Sequence, residues 1–325
     1  MTGRQEHNLK IEKKIQNLLI GAPQYLINYS YNFDNKTATT KKAYLRYVMD
    51  FCDFFKDRDI MTLKKSDINK YMDFIKFDSE GNENGVSIRN ARLAGVKDFY
   101  KFLVEDGYIT DSPCVNVKPP REYEEKEIIA MTPEEMQTLM DNVRNGMGNS
   151  HAKNRQKNWM HRDLSIIMLG CTTGLRCSAI TEIDVDDVDF ENNTIKVVEK
   201  GNKIRTIYVS TNTIEVIKQW LKDRESLGGN VTKALFISNR RQRISQKCVS
   251  ELLAKYTANL SKKITPHKMR SSCATNLYDK TGDIYLVQEV LGHKNIANTR
   301  RYARMSEEKK IHAADIMGRI VEGNI

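Results

Sequence analysis

The sequence lacks several patterns that define large classes of protein. Its six cysteines form no C-x-x-C pair and no disulfide-like framework, and we find no signal peptide and no long apolar run, so we expect a reducing cytoplasm and no membrane. No internal repeat or low-complexity tract occurs. The spacings of cysteine and histidine match no usual zinc pattern, even where they are densest, at His151, His161, Cys171 and Cys177. We therefore expect no metal and no other cofactor.

What the sequence does have is length and positive charge. With 325 residues, the chain can form two domains with separate cores. Hydrophobic residues make up 40% and charged residues 29%, which indicates a soluble globular protein rather than a disordered one. The net charge of +10 favours a polyanion such as nucleic acid as a partner, although many other soluble proteins are as basic.

The first third of the chain predicts a small all-helical domain over residues 1–117. Apolar residues recur there at steps of three and four, the spacing of one helix face; they are Tyr44, Tyr47, Val48, Phe51, Phe54 and Phe55. We predict a second helix capped by Ser66 and a third from about Ser87 to Val104, ended by Gly107. The earlier segment IEKKIQNLLI is another helix or an arm.

Basic residues lie on the predicted outer face of this domain. They are Lys41, Lys42, Arg46, Arg89, Arg92 and Lys97. Such a face is either a solvated charged surface or a surface that binds DNA phosphates. Both interpretations stay open from these residues alone, and DNA binding is the one that the rest of the sequence favours.

A change of composition predicts a linker over residues 118–130. The text VKPPREYEEKE contains two prolines and a charge run, which together forbid a continuous helix. Thr132 then caps a new helix with Pro133 at its first position, and a second domain spans 131–325. Within it we predict a mobile loop over RNGMGNSHAKNRQKNW, a β-hairpin that turns at Gly201–Asn202, and otherwise helices.

Charged and polar residues of this second domain are concentrated in four short motifs. They are Arg176 in TTGLR, Lys200 in EKGNK, His267 and Arg270 in TPHKMR, and His293 and Tyr302 in LGHKNIANTRRY. Taken singly, each has an ordinary explanation: a salt bridge, a solvated turn lysine, a capped histidine or a core tyrosine. Taken together, they supply guanidiniums, imidazoles, an amine and a phenol, which is a set suited to a phosphodiester.

The order and spacing of these motifs resemble the tyrosine recombinase (phage integrase) family. Five separated motifs agree, TTGLR, KGNK, HKMR, LGHKN and RRYAR, and the resemblance spans most of the chain. It implies a mainly α fold with a small antiparallel β-sheet, in which a SAM-like helical core-binding domain precedes an α+β catalytic domain. The short stretch before residue 30 is similar to simple two-domain members, such as Xer-like recombinases and integrases of mobile elements.

The resemblance implies catalytic roles for six residues: Arg176, Lys200, His267, Arg270, His293 and Tyr302. Guanidiniums can hold the non-bridging oxygens of a phosphodiester with paired planar donors. A free phenol, with a pKa of about 10, is a poor nucleophile, and nearby cations favour the phenolate that attacks phosphorus. Lys200 resembles the general acid that protonates the leaving 5′-hydroxyl while a 3′-phosphotyrosine forms. The reaction needs neither ATP nor a divalent metal, in keeping with a sequence that has no P-loop and no carboxylate cluster.

Two positions depart from the family pattern. Many members have an acidic residue three places after the first catalytic arginine, where this chain has Ala179; Glu182 and Asp184 are candidates to replace it. Many members also have a second histidine directly after H-x-x-R, where this chain has Ser271. Both changes concern the fine positioning of the site and not the class of reaction.

The resemblance also implies partners. We expect double-stranded DNA with an inverted-repeat core site, a homotetramer on that DNA, and accessory DNA-bending proteins in some settings. The last segment predicts a helix, capped by Ser306, that either packs on its own domain or docks onto a neighbouring protomer; its apolar residues are Ile311, Ala314, Met317 and Val321. We expect a prokaryotic or phage protein of the cytoplasm, associated with the nucleoid and encoded by a mobile element.

Site-specific recombination is the leading function, and two others stay open. A type IB topoisomerase resembles this family in its active-site chemistry but relaxes supercoils without a docking tail, and the short helical first domain argues against it. A DNA-binding protein that has lost catalysis is the other alternative. The complete set of catalytic residues, with Tyr302 present, argues against that one.

Overall fold

The computed structural model describes residues 3–33, 36–121, 128–198, 203–293, 295–303 and 307–322. The chain divides into two compact units, Gly3–Lys126 and Glu127–Ile325, and each unit has its own hydrophobic core. Helices dominate both units and the second also holds a small antiparallel sheet, so the predicted fold class is confirmed. Because residues 122–127 lie outside the described part, the linker over 118–130 stays a prediction. Among the described residues, no helix is both long and apolar enough to cross a lipid bilayer.

The first unit is a bundle of helices. They are α1 (Gly3–Leu18), α2 (Gln24–Tyr31), α3 (Ala38–Phe54), α4 (Lys65–Phe74) and α5 (Val86–Glu105). Phe51 of α3 is fully buried, and the rings of Tyr71 and Tyr100 meet it edge-on with centroids 5.0 and 5.9 Å away. Ile11 and Ile15 of α1 are buried in the same core, so the segment IEKKIQNLLI belongs to a helix of the bundle rather than to an arm.

Helix α4 begins one residue before the predicted cap, Ser66. Its first residue is Lys65, and the side chain of Asp67 accepts a hydrogen bond from the backbone N–H of Lys64 at 2.9 Å. Arg58 donates to the same carboxylate at 2.6 Å and holds it at the helix start. An acidic first-turn residue, fixed by an arginine, therefore decides where α4 begins, and the prediction of Ser66 as the cap was wrong.

The second unit places its helices around one central helix. The helices are α6 (Pro133–Asn145), α7 (Ser150–Lys157), α8 (Met160–Thr173), α9 (Cys177–Glu182), α10 (Thr211–Ser226), α11 (Gln246–Tyr256), α12 (Pro266–Thr281), α13 (Ile284–Leu291), α14 (Ala297–Arg300) and α15 (Glu307–Val321). Helices α6, α10 and α12 all pack against α8, in which Ile166, Ile167 and Leu169 are fully buried. The predicted cap of α6 is confirmed, because the hydroxyl of Thr132 accepts from the backbone N–H of Glu135 at 3.2 Å.

The sheet of the second unit contains the predicted hairpin. Strands β1 (Val188–Asp189), β2 (Thr194–Val198) and β3 (Ile204–Tyr208) pair antiparallel in the order β1-β2-β3. Val198 pairs with Ile204, which confirms the hairpin, while its turn at 199–202 lies outside the described residues. Ile195 and Val197 are buried and the intervening Lys196 is exposed, so one face of β2 covers the core.

The segment predicted as a mobile loop contains helix α7, so that prediction was wrong. The side chain of Asn149 caps α7 by accepting from the N–H of Ala152 at 2.9 Å. The amide of Gln156 bonds both the N–H and the carbonyl of Met147, which fixes the preceding turn against the helix. No residue of α7 is buried, so the segment has no apolar periodicity by which the sequence could reveal it.

Candidate active site

A glycine turn at the end of α8 positions Arg176. Helix α8 ends at Gly174, whose φ of +60° lies in the left-handed region that favours glycine. The chain then returns to extended backbone at Arg176, with φ −66° and ψ 144°, and α9 starts at the next residue. The side chain of Arg176 is exposed, and its positive charge lowers the pKa of His267, Arg270 and His293. Arg176 is therefore electrostatically coupled to three of the other predicted residues.

Helix α12 places Arg270 in the interior of the site. Arg270 is only 4% exposed, and it donates one hydrogen bond to the carbonyl of Gly174 at 2.5 Å and another to the carbonyl of Leu291 at 2.8 Å. These two acceptors offset part of the cost of burying a guanidinium. Burial and, to a lesser degree, the charge of Arg176 lower the pKa of Arg270 to about 10, so it remains a cation at neutral pH.

The L-G-H motif forms a compact cap on α13. Gly292 has a φ of +65°, and its N–H donates to the carbonyl of Glu289 at 2.9 Å, while the N–H of His293 donates to the carbonyl of Gln288 at 3.0 Å. This hydrogen-bond pattern is a Schellman motif. Ring nitrogen Nδ1 of His293 shares a hydrogen bond of 2.9 Å with the hydroxyl of Thr299, a fully buried residue. Among the described residues the His293 ring has no other hydrogen bond, which leaves its Nε2 for a ligand.

Tyr302 lies beside His293 and is mostly buried. It is 5% exposed and packs in a small cluster with Leu291. The rings of Tyr302 and His293 are nearly parallel, with a 13° angle and 6.4 Å between centroids, and the guanidinium of Arg301 lies 5.9 Å from the Tyr302 centroid. Tyr302 also interacts electrostatically with Arg270, whose pKa the phenolate raises. Tyr302 is thus packed like a core residue and at the same time interacts with the guanidiniums of Arg301 and Arg270.

Both histidines of the site are neutral in the free protein at neutral pH. Desolvation is the main cause that lowers the pKa of His293, to about 4, and the charges of Arg270 and Arg176 add to it. Desolvation also lowers the pKa of His267, followed by the charges of Arg301, Arg270 and Arg176. A bound phosphate would oppose these effects, since an anion favours the protonated ring.

Five of the six predicted catalytic residues come together in the second unit. They are Arg176, His267, Arg270, His293 and Tyr302, contributed by the start of α9, by α12, by the cap of α13 and by the segment after α14. The sixth, Lys200, lies outside the described residues. The cluster combines permanent positive charge, neutral imidazoles and a phenol, so it can bind an anion and present an oxygen nucleophile to it.

The position of the missing acidic residue is occupied by a small apolar side chain. Ala179 is buried, and Asp184, one of its two proposed replacements, is held by Arg243. Arg243 also donates to the carbonyls of Thr181 and Ile183 at 3.2 Å, so Asp184 belongs to a separate cluster. The two hydrogen bonds that Arg270 donates are accepted by backbone carbonyls, those of Gly174 and Leu291, and not by a carboxylate.

Two residues of the site carry no signal that the sequence could show. Thr299 reaches His293 through a single hydroxyl, and Arg205 of β3 donates to the carbonyls of Glu289 and Val290 at 2.9 and 3.1 Å. Their partners are either six residues away or more than eighty residues away. Arginines that bind distant backbone carbonyls leave no spacing pattern in a sequence.

The predicted DNA-binding residues lie on two helices of the first unit. Lys41, Lys42 and Arg46 are on α3, and Arg89, Arg92 and Lys97 are on α5. Arg46 is exposed. Arg92 pairs with Asp50 at 3.7 Å, and Lys97 donates to the carbonyl of Val117 at 2.7 Å, so these two side chains also have partners within the unit. DNA binding by this set stays a prediction.

Comparison with known proteins finds a matching family and individual proteins that are similar to this chain. Residues 130–309 match the phage integrase family. Tyrosine recombinase XerC of Caldanaerobacter subterraneus subsp. tengcongensis is 29% identical over 306 residues, covering 87% of this chain and 82% of that protein. Tyrosine recombinase XerC of Vibrio vulnificus is 31% identical over 229 residues, covering 69% of this chain and 67% of that protein.

A solved structure supports the fold independently. The XerH site-specific recombinase, bound to a palindromic difH substrate in a post-cleavage complex, matches with a TM-score of 0.68. The match covers 87% of this chain and 81% of that chain, at 19% identity. At this identity the likeness concerns the fold alone.

Proposed function

We propose that this chain, which belongs to the phage integrase family, cleaves and rejoins DNA with Tyr302 as its nucleophile. It is a tyrosine recombinase, and its activity is site-specific DNA recombination. The observation that carries the residue assignment is the position of Tyr302, beside His293 and within electrostatic reach of the buried Arg270. A buried phenol without chemistry to perform has no need of this concentration of positive charge.

The proposed reaction begins with one DNA phosphate held by cations. Arg176 and Arg270 bind its non-bridging oxygens, and the neutral rings of His267 and His293 add donors or handle protons. Tyr302 gives its phenolic proton to a neutral imidazole of the site or to solvent, its oxygen attacks phosphorus and forms a P–O bond, and the bond from phosphorus to the 5′-oxygen breaks. Lys200 gives a proton to that leaving oxygen, so a 5′-hydroxyl and a 3′-phosphotyrosine result. In the reverse sense, a 5′-hydroxyl from a partner duplex attacks the phosphotyrosine and releases Tyr302.

The arrangement of the arginines supports this assignment. Arg270 uses two of its five N–H groups on the carbonyls of Gly174 and Leu291, so other N–H groups are left for a ligand. Because it is buried and already oriented, it can stabilise developing charge without being reorganised during the reaction. Because Arg176 is exposed, its side chain can make the first contact with DNA that approaches from solvent.

We propose that the protein works as a tetramer on double-stranded DNA with an inverted-repeat core site, in the cytoplasm. Helix α15 supports assembly, since it carries large apolar side chains in contact with solvent: Ile311, Met317 and Val321 are 62, 57 and 81% exposed. Their exposure argues against packing on the parent domain and for docking onto a second copy of the chain. The proposed cap of this helix, Ser306, lies outside the described residues.

A nicked suicide substrate tests the proposed function. On cognate DNA with a nick near the cleavage point, the wild-type protein should form a covalent protein–DNA adduct, and Tyr302→Phe should bind the same DNA without forming it. Tyr285→Phe is the control, because Tyr285 is an exposed tyrosine of α13 and should leave adduct formation unchanged. An adduct that persists in Tyr302→Phe would remove Tyr302 from its role.

Two further measurements separate this function from its alternatives. Strand exchange between two sites, rather than relaxation of supercoiled DNA alone, distinguishes a recombinase from a topoisomerase. Affinity for DNA should fall steeply as salt concentration rises, because phosphate contacts release counterions. A flat salt response would contradict a complex held mainly by phosphates.

A further inference from the structure

The last four carbonyl groups of α13 all have hydrogen-bond donors. A helix leaves its last carbonyl groups without partners inside the helix. The Schellman motif supplies backbone donors to the carbonyls of Gln288 and Glu289. Side chains then reach the remaining ones, and both of these side chains are arginines from other elements of the unit.

Arg205 is the first of these arginines. It lies on β3, and its Nη1 donates to the carbonyl of Glu289 at 2.9 Å and to the carbonyl of Val290 at 3.1 Å. One terminal nitrogen therefore bridges two successive carbonyls. The contact connects the sheet to the last turn of α13, the helix that is followed by Gly292 and His293.

Arg270 is the second, and it takes the next carbonyl along the chain. Its Nη2 donates to Leu291 at 2.8 Å. The positive charge of Arg205 is close enough to contribute to lowering the pKa of Arg270. The negative end of the α13 dipole and the shared row of carbonyls offset the repulsion between the two guanidiniums, so they can lie side by side.

We infer that Arg205 is a positioning residue for DNA cleavage, an inference that rests on the proposed function of Arg270 and His293. By holding the end of α13 against the sheet, Arg205 fixes the carbonyl of Leu291 to which Arg270 is bound, and fixes the turn from which His293 extends. Without it, this helix end can shift relative to β3, and both phosphate-binding groups lose their alignment. Arg205 acts through these two residues.

A substrate with reduced charge tests this inference. A methylphosphonate at the cleavage point replaces one non-bridging oxygen by a methyl group, so the reacting centre needs less positive charge around it. On an ordinary phosphodiester, Arg205→Ala should slow single-turnover adduct formation by about 10- to 100-fold, somewhat less than the loss on removing one direct donor to a developing oxyanion. On the methylphosphonate, the loss of rate that Arg205→Ala causes relative to wild type should be several-fold smaller. We expect the same reduction for Arg270→Ala.

Two variants complete the design. Arg224→Ala is the matched control, because Arg224, like Arg205, donates to two backbone carbonyls, here those of Ala234 and Thr232, but on elements outside the site. Its relative rates on the two substrates should match the wild type even if its stability falls. Arg205→Lys should recover most of the rate, since a single ammonium can donate to both carbonyls as Nη1 does.

The outcomes are distinguishable. If Arg205→Ala loses the same factor on both substrates, Arg205 only supports the fold and the inference is overturned. If Arg270→Ala is not relieved either, the phosphate-binding role that we propose for Arg270 fails, whereas the loss of the adduct in Tyr302→Phe tests the nucleophile separately. Should Arg205→Ala not fold, Arg205→Gln provides the same comparison, because it removes the charge but keeps an amide donor.

Discussion

Arg270 donates a hydrogen bond to the carbonyl of Gly174 at 2.5 Å, although 96 residues separate them in the sequence. Gly174 precedes Arg176 by only two residues, so this bond couples the positions of two proposed phosphate-binding arginines. A displacement of the turn would move one guanidinium and release the other. The conformation of this single glycine is therefore a determinant of the site.

Replacement of Gly174 by alanine should damage both stability and cleavage. A Cβ there would lie 2.4 Å from Cδ2 of Leu291 and 3.3 Å from Sγ of Cys273, in addition to the strain of an alanine at a φ of +60°. Gly282→Ala is the matched control: it also ends a helix with a positive φ, of +66°, but its Cβ would meet nothing within 4 Å. We expect about 1–2 kcal/mol of destabilisation for the control from backbone strain.

For Gly174→Ala we expect roughly 1–3 kcal/mol more, the usual cost of overpacking, together with slower adduct formation. Urea unfolding measures the change in stability, and a nicked substrate measures the rate of adduct formation. If the two substitutions had equal effects, Leu291 would be able to move away from the new Cβ without a loss of stability or of cleavage.

Loss of the Thr299 hydroxyl should slow cleavage through His293. Thr299→Val keeps the shape of the side chain but removes the partner of the His293 Nδ1. The unpaired ring nitrogen costs about 1–2 kcal/mol, and a loss of this size in the transition state slows the reaction about tenfold. Thr299→Ser keeps the hydroxyl and should stay within about threefold of wild type. Single-turnover rates of both variants test this, and equal rates would mean that Thr299 only fills space.

Stability should decline as the pH falls from neutrality towards 5, in part because of His293. Its pKa is lowered to about 4 in the folded protein, whereas an unfolded histidine titrates near 6.5. The unfolded state therefore binds more protons between these values, and the folded state is disfavoured as the pH drops. The contribution is on the order of 1 kcal/mol between pH 7 and 5, after allowance for solvent screening.

Chemical denaturation of the wild type and of His293→Gln at both pH values measures this contribution. The variant should lose less stability on acidification than the wild type. Parallel losses would show that His293 titrates normally in the folded protein.

Disruption of the apolar residues on α15 should prevent assembly without unfolding the protomer. Met317→Glu places a charge among side chains that we propose to dock onto a second copy. Arg319→Glu is the control, because it lies two residues further and thus about 200° around the helix. Sedimentation with and without DNA should show loss of the tetramer for Met317→Glu alone. A tetramer that survives Met317→Glu would exclude this helix from the interface.

Local signals predicted the parts of the fold that depend on neighbours in sequence. The Thr132 cap and the hairpin between β2 and β3 both follow from short-range backbone preferences, and both are present. Helix α7 was missed because none of its residues is buried, so it has no apolar pattern, and its cap is the single side chain of Asn149. The start of α4 was misplaced because the side chain of Asp67, held by Arg58, accepts the hydrogen bond at the helix start in place of Ser66.

By itself, the sequence determined the type of chemistry, since the identity and order of the cationic, imidazole and phenol side chains indicate a phosphodiester and an oxygen nucleophile. Only the tertiary structure decided how these groups are held. The carbonyls of Gly174 and Leu291 hold Arg270, and Arg205 binds the two carbonyls that precede Leu291. Every residue has the same carbonyl group, so which one accepts a hydrogen bond is set by the packing of distant elements and not by any residue that can be read in advance.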